Sequence, residues 1–290
     1  MGSRESACRK CDCHSFVTDK PVVIAYSARM ELTEITAATA ARDRLIEGCG
    51  SMSHLLQQLL DSKGRVADEV HAIRKLGKSL RGGFSLFGLG KSSAREIQAI
   101  GRLLSASRDA VSRRSTWERL GWESDSLVAG TIAGLLDQQT HSAARRPPPE
   151  AIAWCIERVD QAREALAALP GETLEDTIAK GLRHLGKNVR KCSRRMHRRG
   201  EDDFHETRKA LKAYLGAIGF MPSGEITPDP KMTGLAELLG DENDLATLSD
   251  WLIGHGFTDR FAPELWKKLG KARRKLQNRA VDDARSIIRK

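Results

Sequence analysis

A short pattern occurs twice in this chain: a histidine, then Arg-Lys three and four residues on, then a further Lys. The first copy, V-H-A-I-R-K-L-G-K-S-L-R, carries His71, Arg74, Lys75, Lys78 and Arg81. The second, F-H-E-T-R-K-A-L-K-A-Y-L, carries His205, Arg208, Lys209 and Lys212, and lies 205 − 71 = 134 residues on. At about 100° per residue, an α-helix gathers the polar side chains of the first copy into an arc of roughly 120°. Ile73, Leu76, Leu80 and Phe84 fall on the opposite side, as do Phe204, Leu211, Tyr214 and Ile218 in the second copy. A repeat this long predicts duplicated helical bundles and not a solenoid of short units.

The rest of the chain is helical in period too. Leu32, Ile35, Leu45, Ile46, Leu55, Leu56, Leu59 and Leu60 outline a first long helix, with Gly48-Cys-Gly50 a potential break. The first histidine helix is expected over Val66 to Phe87, a third helix over Ser93 to Arg114 and a fourth over Asp125 to His141. Consecutive prolines in Arg145-Arg-Pro-Pro-Pro149 stop helix and mark the clearest division of the chain. Further helices are expected over Glu150–Ala168, Thr173–Arg199, Asp202–Phe220, from Pro230 through Leu252, and from Pro263 to near the end. Residues 1–27 read as a flexible N-terminal segment, 28–143 as a first helical repeat, 144–149 as a Pro-rich linker and 150–290 as a second repeat. Only 5% of residues are aromatic against 40% hydrophobic, so the core is aliphatic, which suits packed helices.

Lys and Arg outnumber Asp and Glu by 48 to 38, a net charge of +10. Such an excess favours an anionic partner and says nothing about fold. No stretch is apolar enough for a signal peptide or a bilayer span, so no membrane partner is expected and the cytoplasm is the expected compartment. Cys8, Cys11 and Cys13, with His14, have zinc-ligand types but no second cluster to complete a site; Cys49, Cys155 and Cys192 are expected to be small buried hydrophobes.

The paired H-x-x-R-K helices, the L-L-G-D-x-N-D-L-A run at Leu238 to Ala246 and a basic C-terminal helix resemble the CHAD family, named for its histidine-containing α-helical domain. The resemblance covers roughly Leu32 to Arg289. It implies an all-α fold, two pseudo-symmetric four-helix-type bundles forming one CHAD domain over 28–290, with a basic groove or pore that binds inorganic polyphosphate. It also implies association with polyphosphate granules and their proteins. Ser79 stands where the first histidine helix of the family often has Arg, and Ala213 and Leu215 replace basic residues in the second, which implies a weaker or narrower second-half site.

The residue chemistry agrees. Polyphosphate exposes only acceptor oxygens, so Arg forks interspersed with Lys point charges make a suitable row of donors, and His can add another. Val70 to Arg81 holds no Asp or Glu, although like charges at i,i+4 destabilise a helix. A bound anion relieves that repulsion. Arg183, Lys187, Arg190, Lys191 and Arg194 share one helical face, and Lys267, Lys271, Arg274 and Lys275 another. An Asp follows each histidine helix, Asp109 and Asp244, at an offset of 244 − 109 = 135; each is expected to hold a basic side chain in place.

Other readings fit less well. Gly88-Leu-Gly-Lys-Ser92 lacks the earlier glycine and the preceding strand of a phosphate-binding loop. No nucleophile triad, metal set or cofactor motif stands out, so the expectation is binding without catalysis. Non-specific binding of DNA or RNA is the alternative, since phosphate contacts alone confer it. Against it stand the absence of a recognisable nucleic-acid-binding motif and the scarcity of aromatics for base stacking.

Overall fold

In the computed structural model, which describes residues 33–61, 66–122, 127–143 and 146–288, every regular element is helical. The elements are α1 (Thr33–Asp61), α2 (Val66–Leu86), α3 (Ser93–Leu103), α4 (Ser105–Leu120), α5 (Leu127–Ala143), α6 (Pro149–Ala167), α7 (Leu174–Arg195), α8 (Glu201–Ile218), α9 (Pro230–Gly254) and α10 (Pro263–Ile288). Short 3₁₀ turns at Gly171–Thr173 and Met196–Arg198 flank α7. The cysteine cluster at Cys8 to Cys13 lies outside the described residues.

Local chemistry sets several helix ends. Gly88 takes φ 77° after α2, and the Leu89 amide reaches back to the Phe84 carbonyl at 2.8 Å, a glycine-terminated stop. Pro149 opens α6 and Pro230 opens α9, where a missing N–H costs nothing; Asp229 caps α9 by accepting from the Lys231 amide at 2.9 Å. Two expectations need correcting. α1 runs unbroken through Gly48-Cys49-Gly50, because Gly48 packs closely beneath Leu80 and Phe220 and Cys49 is fully buried. The expected helix over Ser93–Arg114 is two helices, divided at Leu104 (φ −90°, ψ 9°), and the second continues to Leu120.

The histidine helices α2 and α8 pack against each other at the centre of the molecule. They cross where Gly82 meets the backbone of α8 and Gly216 meets that of α2. α1 packs on α2 and α6, while α7 packs on α8, α2 and α10. Packing crosses the proline run. α6 lies against α1 and α3, and the α4–α5 pair shares a hydrophobic cluster, built on Trp117, Ile132, Leu136, Leu248 and Leu265, with α9 and α10. A second cluster joins α7, α8, α9 and α10 around Met196, Phe204, Leu211 and Leu235; the largest joins α1, α2, α3 and α6 to α7 and the end of α8. No helix among the described residues is long and apolar enough to cross a membrane.

Candidate anion-binding site

The buried stripe of α2, which includes Val70, Ile73, Gly77, Leu80 and Phe84, fixes the azimuth of its cations. Arg74, Lys78 and Arg81 line a cleft of about 190 Å³ between α2 and α3. Arg102, in the last turn of α3, joins them. The cleft floor is apolar: Met52 of α1 with Ile73, Ile97 and Ile100, each no more than 1% exposed. Gly77 and Gly101 line it without side chains.

Arg74 is the best-anchored of the four. Its side chain is 16% exposed, it lies 3.7 Å from the Asp109 carboxylate, and it donates to the Gly101 carbonyl. Asp109 therefore pairs with a cation of the histidine helix. Burial lowers the pKa of Arg81, and the neighbouring Arg102 charge lowers it further. Among the described residues no carboxylate lies within 4 Å of Arg81 or Arg102. His71 and Lys75 are exposed on α2 and do not line the cleft.

The second histidine helix has different surroundings. His205 is exposed, with Nδ1 3.0 Å from Asn243 Oδ1, and Lys209 pairs with Glu206 of its own helix at 2.8 Å. Arg208 and Lys212 are half-buried. Asp244 lies 3.5 Å from Arg119, which also reaches Asp241 at 3.2 Å, so this acid links α9 to α4. His71 and His205 each stand eleven residues before the crossing glycine (82 − 71 and 216 − 205), roughly 16 Å along the helix.

On α7, Arg183, Lys187, Arg190, Lys191 and Arg194 are all exposed, while Ile178, Leu185, Val189 and Met196 are buried opposite them. Burial raises the pKa of Tyr214 on α8, and the nearby Arg190 charge partly offsets this. On α10, Lys271, Arg274 and Lys275 are exposed, and Lys267 lies 3.7 Å from Glu264. No group of three His, Cys, Asp or Glu side chains suited to a metal occurs among the described residues.

Two residues escaped the sequence reading. Arg102 lies two turns before Asp109, a spacing that could have drawn attention to it. Glu242 is 6% exposed and accepts from Arg273 at 2.9 and 3.1 Å and from Gln277 at 2.8 Å, joining α9 to α10. A carboxylate in an acidic run reads as surface, so nothing in the sequence marked it.

The CHAD domain family model matches residues 51–253, well over half of the chain. This chain belongs to the CHAD family. The fold of this CHAD domain is similar to the crystal structure of the CHAD domain from the plant Ricinus communis, at TM-score 0.56 and 17% identity, covering 87% of this chain and 91% of that one. It is also similar to PptA from Streptomyces chartreusis, at TM-score 0.52 and 14% identity, covering 87% and 98%. No curated protein matches the chain.

Proposed function

We propose that this CHAD domain binds inorganic polyphosphate without transforming it. The observation that carries the reading is the cleft that gathers Arg74, Lys78, Arg81 and Arg102 over an apolar floor, with Asp109 bracing Arg74 at its side. Guanidinium forks engage paired phosphate oxygens, and Lys78 adds a point charge between them. The cations of α7 and α10 are exposed as well, and add to the basic character of the surface. The exact spacing of the histidine motifs and the reciprocal glycine crossing of α2 and α8 support two pseudo-symmetric four-helix-type bundles around a shared basic groove. The same reading puts the protein in the cytoplasm, at polyphosphate granules and their proteins.

Nucleic acid is the competing polyanion. Its single-stranded forms need exposed aromatic platforms for base stacking, worth about 1–3 kcal/mol per base. Four tryptophans, Trp117, Trp122, Trp251 and Trp266, instead pack in or against one hydrophobic cluster. The deciding experiment is competition at fixed salt, with labelled long-chain polyphosphate displaced by unlabelled polyphosphate, duplex DNA, single-stranded RNA or ATP. Polyphosphate is expected to displace the probe at the lowest phosphate concentration. Stronger displacement by DNA or RNA overturns the reading.

A further inference from the structure

The two repeats do not offer equivalent sites. At the offset of the histidine motifs, Gly77 corresponds to Leu211 (211 − 77 = 134) and Arg81 to Leu215 (215 − 81 = 134). Leu211 is fully buried in the cluster joining α7 to α10, and Leu215 packs against that cluster. The second repeat therefore has a leucine where the first has the buried Gly77, and a further leucine where the first has a cation of the cleft. At the offset of 135 that relates Asp109 to Asp244, Arg102 corresponds to Glu237, a change of sign (237 − 102 = 135).

The first-repeat cleft is also closed at its inner end. Met52, Ile73, Ile97 and Ile100 pack its floor at 1% exposure or less, so a polymer entering between the cations cannot pass through the floor. Its volume of about 190 Å³ is roughly six water volumes at about 30 Å³ each, enough for a short anionic tip. Gly101 borders this space and its carbonyl holds Arg74; a Cβ placed on it would meet no atom within 4 Å.

We infer that the cleft between α2 and α3 captures the terminal phosphoryl group of a phosphate chain, so that the polymer binds by one end in the first repeat and runs outward over the remaining cationic surface. This rests on the polyphosphate reading above. An internal phosphate carries about one charge, whereas a terminal phosphoryl, like a phosphomonoester, carries about 1.5 to 2 near neutral pH and presents three acceptor oxygens. Four cations lining a cleft with a buried apolar floor match the second better than the first. Arg81 and Arg102 both line the cleft, and their mutual repulsion is relieved most by the group of highest charge density.

The test compares polyphosphate chains of one length whose ends are free or blocked as neutral-capped amidates, with affinity measured by competition at fixed salt on the full chain. Wild-type protein is expected to bind the free-ended chain at least fivefold more tightly. Gly101→Leu, which fills the cleft, and Arg102→Ala, a surface truncation that leaves the helix intact, are each expected to bind both chains alike, at the blocked-chain affinity. Equal affinity of wild-type protein for the two chains overturns end capture while leaving polyphosphate binding standing. A free-end preference that survives in both folded variants also overturns it, by moving the end site elsewhere. If neither chain outcompetes duplex DNA at equal phosphate, the polyphosphate reading itself falls, and end capture with it.

Discussion

Gly82 of α2 and Gly216 of α8 are 216 − 82 = 134 residues apart and occupy reciprocal positions at one helix crossing. A Cβ on Gly82 would lie 2.4 Å from the Ala213 carbonyl oxygen and 2.7 Å from the Ala217 nitrogen; one on Gly216 would lie 3.0 Å from Ser79 Cα. Ser79 and Ala213 are themselves 134 apart. Each glycine thus sits on the other helix at the same place in its own repeat. A similar exchange occurs farther out, where Gly48 packs on Phe220 and Gly181 on the Leu86 backbone.

Gly82→Ala should be costly, since the atoms it meets are backbone and can yield only if the helices part. Overpacking of this kind costs about 1–3 kcal/mol and sometimes more. Gly130→Ala, at an exposed position of α5 where a Cβ meets nothing, should instead stabilise by about 0.5–1 kcal/mol. Thermal unfolding of the two variants should move the midpoint in opposite directions; equal shifts would mean the crossing is looser than described.

Glu242→Ala leaves the Arg273 guanidinium, 15% exposed, beside a cavity with its carboxylate gone. Breaking a buried ion pair from one side costs about 3–5 kcal/mol. Urea denaturation should show a loss of that size, and Glu242→Gln, which keeps the shape and one acceptor, should recover part of it. A loss below about 1 kcal/mol would place the pair effectively in solvent.

Stability should fall in alkali, and Cys49 should account for part of the fall. Burial raises its thiol from 9.0 to about 12 and raises Cys155 to about 11. Above pH 9 the unfolded chain releases these protons while the folded chain retains them, so the unfolded state binds fewer protons and stability declines as pH rises toward the folded values. Cys49→Ala should flatten the decline between about pH 9 and 10.5 in denaturant titrations. An unchanged slope would show that the thiol is hydrated in the native protein.

Arg102→Ala should weaken polyphosphate binding and lower the steepness of its salt dependence. Each phosphate contact on a flexible polyanion contributes about 0.7 to the slope of log K against log salt. Loss of affinity with an unchanged slope would mean that Arg102 shapes the cleft without contacting the anion. Parallel measurement of Arg74→Ala, which also removes the partner of Asp109 and of the Gly101 carbonyl, should show the larger loss of affinity.

Much of the molecule could be read from its residues in order. The all-helical class, the ends set by Gly88, Pro149 and Pro230, the buried cysteines 49, 155 and 192, and the cationic faces of α2 and α7 all follow from local period and capping, which depend on neighbours three or four residues away. That Asp109 pairs with Arg74 of α2 and Asp244 with Arg119 of α4 was not legible, since which basic side chain each acid meets depends on the packing of separate helices. The unbroken course of α1 through Gly48 and Gly50 was not, since glycine signals a break unless a neighbouring helix needs its missing side chain.

What tertiary structure alone decided is where those charged faces come to lie. Arg81 lines a cleft while Leu215, its counterpart, packs against a core, and Arg102 becomes a cleft residue only because α3 lies against α2. The same holds for Glu242, whose burial depends on α10 bringing Arg273 across. One-dimensional sequence fixes which face of each helix is charged. Which charged faces line a common cleft depends on contacts between segments far apart in the chain, and those are set by packing volume and not by local pattern.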